Sequence, residues 1–196
     1  MKRLFDILLS LLILALFLPI GILLIILVVI ESKGGPFYFQ QRVGLQGKLF
    51  YLLKFRSMRM DSDKGSQITI GKRDARITRV GYFIRKFKLD EFPQFVNVLK
   101  GDMSIVGPRP EVPHYVAMYT AEQRKILSVK PGITDYASLA YFDENELLAQ
   151  AENPELVYIN EIMPAKLALN EKYLTKPNVW HDLQIIWLTA KKILRF

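Results

Sequence analysis

The chain has 196 residues, no cysteine and a formal net charge of +8. Disulfides, thiolate nucleophiles and cysteine-ligated zinc are excluded. The positive balance suits an anionic partner: nucleic acid, a phosphorylated substrate or an anionic membrane surface.

From Ile7 to Ile30 the sequence reads ILLSLLILALFLPIGILLIILVVI, with Ser10 as its one clearly polar side chain. About 24 apolar residues suffice for a membrane-spanning helix. A signal peptide fits less well, because the block is too long and no small-residue cleavage site follows it. Two features favour another path. Pro19 removes a backbone donor in mid-block, and Gly21 loosens the chain beside it. Basic residues also flank both ends, Lys2 and Arg3 before, Lys33, Arg42 and Lys48 after, and basic flanks favour the cytoplasmic side. A single span satisfies one flank. A re-entrant helix-break-helix over residues 1–33, hinged at Pro19, satisfies both. The carbonyl it frees near residue 15 needs a partner, and Ser10 is too far away to be an obvious one.

Residues 34–196 read as one further unit, α+β and mostly helical. Phe37 to Gln41 and Lys48 to Phe55 are rich in aromatic and apolar residues, with Gly44 and Gly47 at the turn, which predicts a β-hairpin. Asp61 to Arg76 is polar and without period, a loop. Within it GSQITIGKR fails as a phosphate-binding loop: the glycine spacing is one residue too long, and Arg73 stands where a hydroxyl is required. Val80, Phe83, Ile84 and Phe87 follow helical spacing, with Thr78 as N-cap. Phe92, Phe95, Val96 and Leu99 repeat it, and Gly101 ends that helix.

Asp90 then falls at the N-cap of the second helix, with Glu91 and Pro93 in its first turn. Two readings are open here. An acidic pair at a helix start is a common cap. The same place suits a nucleophile beside a phosphate site, because helix N-termini stabilise anions and keep a carboxylate ionised. Arg85, about one turn upstream, can supply charge to a phosphate, and Glu91 can hold a divalent cation together with Asp90. In GDMSIVGPRPEVP, two prolines flank Arg109 and force an extended path that aims a guanidinium. That suits bidentate phosphate binding, although a rigid surface turn has the same sequence.

Thr120 and Gln123 form a capping box, and Lys130-Pro131-Gly132 a turn. From Asp143 to about Leu174 the pattern is helical, with breaks expected at Pro154 and Pro164. The acids Asp143, Glu144 and Glu146 fit a helix start better than a metal site. Trp180, Leu183, Trp187, Ala190 and Leu194 share one face of a C-terminal helix ending in Lys191, Lys192 and Arg195. Such a face either packs into the core or lies in a membrane interface, its basic end on anionic phospholipid. With two histidines and no G-x-S-x-G elbow, a Ser/His/Asp triad is disfavoured. Nucleic-acid binding accounts for the charge but not for the apolar block.

Five stretches together resemble a known family: RLFD at 3–6, QQRVG at 40–44, KFRSM at 54–58, LDEFPQFVNVLKGDMSIVGPRP at 89–110 and KPGIT at 130–134. They are similar to the small monotopic polyprenyl-phosphate phosphoglycosyltransferases of bacteria, the bacterial sugar transferases. The resemblance covers most of the chain. It implies an enzyme at the cytoplasmic face of the bacterial inner membrane. Such an enzyme moves a sugar 1-phosphate from a UDP-sugar to polyprenyl phosphate, releases UMP, and so begins glycoconjugate or polysaccharide assembly. It implies an Asp-Glu dyad with Mg2+ at Asp90 and Glu91, Asp90 becoming covalently bonded to the phosphosugar. Lys54, Arg85 and Arg109 match family residues near the phosphates, a homodimer is compatible with it, and Pro19 marks the membrane break. Two departures stand out. The family's Ser-Pro break pair is Leu18-Pro19 here. After KPGIT, this chain has DYASLAYFDENELL where many relatives carry an arginine that helps bind substrate, so the sugar is left open. The rival reading is a non-catalytic, membrane-anchored basic module that docks anionic lipid or a biosynthetic partner.

Overall fold

A computed structural model describes residues 2–60, 71, 74–174 and 178–194. The loop reading of 61–76 falls largely outside them, as do Arg73 and Arg195. Helix α1 runs from Lys2 to Glu31 with Pro19 inside it. The expected break into two helices is absent: the backbone stays helical through the proline. Proline's fixed φ is a helical value, so one lost hydrogen bond need not end a helix whose long apolar flanks propagate it. At 1.5 Å per residue α1 is about 45 Å long. It is the one described helix long and apolar enough to cross a membrane.

One stripe of α1, through Asp6, Ser10, Gly21, Leu24 and Val28, is buried. Both ends of the helix are tied to the rest of the chain. Near the start, Lys2 pairs with Asp182, Arg3 donates to the carbonyls of Val98 (2.5 Å) and Leu99 (3.0 Å), and Asp6 accepts from Ser104 Oγ (2.8 Å) and the Ile105 N–H (3.2 Å). At the far end, Glu31 accepts from the N–H groups of Arg79 (2.8 Å) and Val80 (2.7 Å). Leu24 and Val28 pack with Phe55 and Ile84.

The predicted hairpin is present. β1 (Phe37–Val43) and β2 (Leu49–Phe55) pair antiparallel, Phe37 opposite Phe55 and Val43 opposite Leu49. Thr78 caps α2 (Arg79–Lys86), accepting from the Gly81 N–H at 2.9 Å. α3 (Gln94–Lys100) ends at Gly101, which takes a φ of 97°. A parallel pair, β3 (Ser104–Val106) with β4 (Gly132–Thr134), crosses the middle of the chain. Three-residue strands carry too little periodicity to be read from sequence.

Short helices follow: α4 (Pro113–Val116), α5 (Tyr136–Ala140) and α6 (Glu144–Ala149). The capping box forms as expected, Thr120 and Gln123 each accepting the other's N–H, at 3.2 and 2.9 Å. Pro154 opens α7 (Pro154–Val157). Pro164 does not break the chain that follows. A π-helical turn, Tyr158–Ile162, in which the Met163 N–H reaches the Tyr158 carbonyl, leads directly into α8 (Met163–Leu174). The wider turn carries the helix past the missing proline N–H. This segment packs with Tyr115, Tyr119 and Leu148 in the largest core cluster. α9 (Val179–Leu194) buries Asp182 and Ile185. Its tryptophan face points outward, Trp180 being 75% and Trp187 59% exposed, so that face does not pack into the core.

Candidate active site

Asp90 lies on a 3-10 turn, Leu89–Glu91, and not at a helix N-cap. Lys88 takes the left-handed conformation (φ 55°), closing off α2 and starting the new turn, while Pro93 becomes the residue preceding α3. The second helix therefore starts one turn later than its apolar spacing suggests. Asp90 is buried, only 7% exposed. No hydrogen bond or ion pair to its carboxylate is found among the described residues. Burial first, and then the charge of Glu91, push its pKa up, while Lys54, Arg85 and Lys88 pull the other way. The expectation that a helix N-terminus surrounds this carboxylate is thus corrected: the helix end is elsewhere, and the favouring charge comes from Lys54, Arg85 and Lys88.

Glu91 is held differently. Arg109 grips it with both nitrogens of its fork: Nη1 lies 3.0 Å from Oε2, and Nη2 contacts Oε1. Lys54 Nζ lies 3.5 Å from Oε1. Burial alone would raise the Glu91 pKa, but the two cations outweigh it and hold the carboxyl well below its usual range. For Lys54 burial wins, and its pKa is brought down to about 8 despite Glu91.

Each cation is placed by its own scaffold. Lys54 sits on β2, whose outer edge is stapled by Asn97 of α3. Asn97 Oδ1 accepts from the Leu53 N–H at 2.9 Å, and its Nδ2 donates to the Tyr51 carbonyl at 2.8 Å. Arg85, on the last turn of α2, donates to Ser57 Oγ at 3.4 Å. Arg109 follows a crossing of two backbones. A Cβ on Gly132 would lie 2.1 Å from the Gly107 nitrogen, so only glycine permits the approach. There the Gly132 N–H donates to the Pro108 carbonyl (3.0 Å) and the Gly107 N–H to Thr134 (3.1 Å). Asp135 accepts the Arg109 N–H at 2.9 Å, and Arg42 reaches the Pro110 carbonyl at 3.0 Å. Proline stiffness was the legible part of this arrangement. The roles of Asn97, Asp135 and Arg42 depend on distant partners and had no local signal, apart from Asp135 standing three residues before Ser138, whose N–H it caps.

All five predicted residues, Lys54, Arg85, Asp90, Glu91 and Arg109, line one cavity of about 920 Å3. Its polar end is this cluster, and its walls include Leu9, Ile13 and Phe17 of α1 and Ile186 and Ile193 of α9. Ser138 also lines it, and its buried Oγ has no hydrogen-bond partner among the described residues. Three cations thus surround one buried and one half-buried carboxylate at the end of a cavity of ligand size, an arrangement chemically suited to a phosphorylated ligand. Asp143, Glu144 and Glu146 stand on the rim, and Glu144 is paired with Lys166 at 2.7 Å. Among the described residues no group of three or more acidic or histidine side chains is poised for a metal.

A family profile described as Bacterial sugar transferase matches residues 1–196. The chain belongs to that family. It is similar to a UDP-glucose:undecaprenyl-phosphate glucose-1-phosphate transferase of Xanthomonas campestris pv. campestris, with 39% identity over 184 residues, covering 90% of this chain and 35% of that protein. A UDP-N-acetylgalactosamine-undecaprenyl-phosphate N-acetylgalactosaminephosphotransferase of Aeromonas hydrophila is 35% identical, covering 98% of this chain and 43% of that protein. An uncharacterized sugar transferase, EpsL, of Bacillus subtilis (strain 168) is 38% identical, covering 99% of this chain and 87% of that protein. The chain therefore spans about two fifths of the length of the first two relatives and most of the third.

Proposed function

We propose that this chain transfers a sugar 1-phosphate from a UDP-sugar to polyprenyl phosphate, releasing UMP, on one face of a bacterial inner membrane. The observation that carries the reading is the Asp90 carboxylate: buried, without a hydrogen-bond or ion-pair partner among the described residues, and set in a cavity beside three cations. A desolvated carboxylate is costly to keep, and a docking module has no use for it. A nucleophile does.

In the first step an Asp90 oxygen attacks the β-phosphorus of the donor, the bond to the bridging oxygen breaks, and UMP leaves. In the second, an oxygen of the lipid phosphate attacks the same phosphorus and the Asp90 carboxylate departs. Lys54, Arg85 and Arg109 hold the phosphate oxygens and offset their charge. Positioning and charge neutralisation are most of what phosphoryl transfer requires. Asp90 and Glu91 are hard oxygen donors suited to Mg2+, which takes one or two carboxylates and completes its shell with substrate phosphates. The ion supplies neutralisation of developing phosphate charge.

The membrane arrangement follows from α1. Both its ends are tied to the same folded unit, while Leu16, Leu18 and Leu23 between them are exposed. With no break at Pro19, this supports a monotopic association in which the unbroken α1 lies along the bilayer surface and both its flanks stay on one face. The outward tryptophans of α9 support an interfacial helix. The test is a UMP-release screen across UDP-sugars with polyprenyl phosphate, together with intact-protein mass spectrometry after quenching without acceptor. The expected result is a phosphosugar adduct on Asp90 that Asp90→Asn abolishes along with turnover. Turnover retained by Asp90→Asn would overturn the assignment.

A further inference from the structure

The cation that best fits a substrate phosphate is already occupied. Arg109 spends its fork on Glu91, with one nitrogen on each carboxylate oxygen, and Lys54 adds a contact to Oε1. The same contacts make Glu91 a poor ligand for a divalent ion. A carboxylate has about four lone-pair sites, and here two cations make three contacts to them. A third cation placed beside Arg109 and Lys54 would be repelled inside a site where charges are weakly screened. Asp90, by contrast, is free. Glu91 and a phosphate therefore compete for one guanidinium, while Arg109 and a divalent ion compete for one carboxylate.

We propose that Arg109 is an exchangeable clasp, closed on Glu91 in the free protein and transferred to a phosphate when a nucleotide binds, so that nucleotide binding releases Glu91 to a divalent cation. This rests on the reading of Arg109 as a phosphate-binding residue. The exchange is feasible because both geometries use the same planar fork, which accepts carboxylate and phosphate alike. Meanwhile the backbone of Arg109 stays fixed by Asp135 and the Gly107–Gly132 crossing. Only the side chain has to move, and it is 29% exposed, on the cavity side. Linkage makes the coupling reciprocal: whatever nucleotide does for metal affinity, metal does for nucleotide affinity.

The test uses the full chain in lipid nanodiscs, Mn2+ followed by the electron paramagnetic resonance of the free ion, and UMP, whose single phosphate binds Mn2+ weakly by itself. In the wild type, UMP is expected to tighten Mn2+ binding about tenfold, within the usual range of such couplings. Arg109→Ala is expected to bind Mn2+ about tenfold more tightly than wild type without UMP, because Glu91 is released, with little further gain from UMP. Mn2+ affinity in Arg109→Ala equal to or below wild type overturns the clasp. Loss of the phosphate reading shows separately, as UMP affinity unchanged by Arg109→Ala. Should that variant fail to fold, Glu91→Gln decides by the reverse arm. With no carboxylate competing for Arg109, metal-free UMP binding is expected to tighten several-fold. Weaker or unchanged binding overturns the proposal.

Discussion

Asn97→Ala isolates the device that sets Lys54. Asn97 is 3% exposed and supplies both hydrogen bonds that the free edge of β2 makes to α3: Leu53 N–H to Oδ1 at 2.9 Å and Nδ2 to the Tyr51 carbonyl at 2.8 Å. Alanine removes both partners and leaves a strand donor and a strand acceptor facing a space that water reaches poorly. Each orphaned group costs about 1–3 kcal/mol, so the loss is about 2–6 kcal/mol. For a domain of this size that lowers the melting temperature by roughly 2–4 °C per kcal/mol, about 4–24 °C in all. Asn97→Asp is a sharper version. It keeps the acceptor for Leu53 but turns an oxygen towards the Tyr51 carbonyl and Asp102, which Nδ2 now contacts at 3.3 Å. It should lose at least as much. Because Lys54 is the next residue after Leu53, UMP release should also fall well below the melting transition. The assays are a calorimetric melt in nanodiscs and UMP release at a temperature where both variants are folded. A melting shift below about 2 °C, with full activity, would refute the stapling argument.

The remaining expectations concern charge and membrane. Lys54 loses its proton near pH 8 in the folded chain and near its ordinary value of 10.5 when unfolded. The unfolded state therefore binds more protons between those values, and the contribution of Lys54 to stability rises with pH across that window. Donor use moves the opposite way: kcat/KM should decline above about pH 8, and Lys54→Arg should remove that limb. An unchanged profile in Lys54→Arg would assign the decline elsewhere. The chain has two tryptophans, both on α9, so their emission should be quenched by lipids brominated near the headgroup. No quenching would place α9 away from the bilayer. With no native cysteine, Lys2→Cys and Lys33→Cys can be labelled singly in sealed vesicles. Both should react from the same side, and reaction from opposite sides would replace the surface-lying helix with a span. Deleting residues 1–33 should abolish cooperative unfolding, and a truncated chain that still melts sharply would show that α1 is dispensable to the fold.

Local chemistry made much of this legible. The apolar block, the hairpin, the Thr78 cap and the Thr120–Gln123 box are decided by residues within a few positions of one another, and they appear where the spacing puts them. The five candidate site residues, chosen for charge and motif, line a single cavity. The failures share a cause. Lys88 adopts a left-handed conformation that nothing in its own side chain requests, and this moves Asp90 off the helix start. Pro164 is absorbed by a π turn whose formation depends on packing against Tyr115 and Leu148. For α9 the sequence left core and interface open, and long-range contacts decide it by burying the face of Asp182 and Ile185 opposite the tryptophans. Asp182 is held there by Lys2 and Tyr173. Pairings across 100 or more positions leave no periodic trace.

Those long-range pairings change what the apolar helix is. Three of its polar residues, Arg3, Asp6 and Glu31, end on elements that carry or support the site. Glu31 satisfies two N–H groups at the start of α2, the helix of Arg85. Arg3 satisfies two carbonyls at the end of α3, the helix of Asn97. Asp6 holds β3, from which the chain runs directly to Arg109. Helix ends leave such groups without partners unless something outside supplies them, and at a net worth of about 1 kcal/mol each the six bonds together match a large part of the 5–15 kcal/mol by which a domain is normally stable. A segment that served only to hold the protein at a bilayer would need none of them. α1 instead ties together the scaffolds of Lys54, Arg85 and Arg109 along its length, so a displacement of this helix would change the spacing of the cations around Asp90.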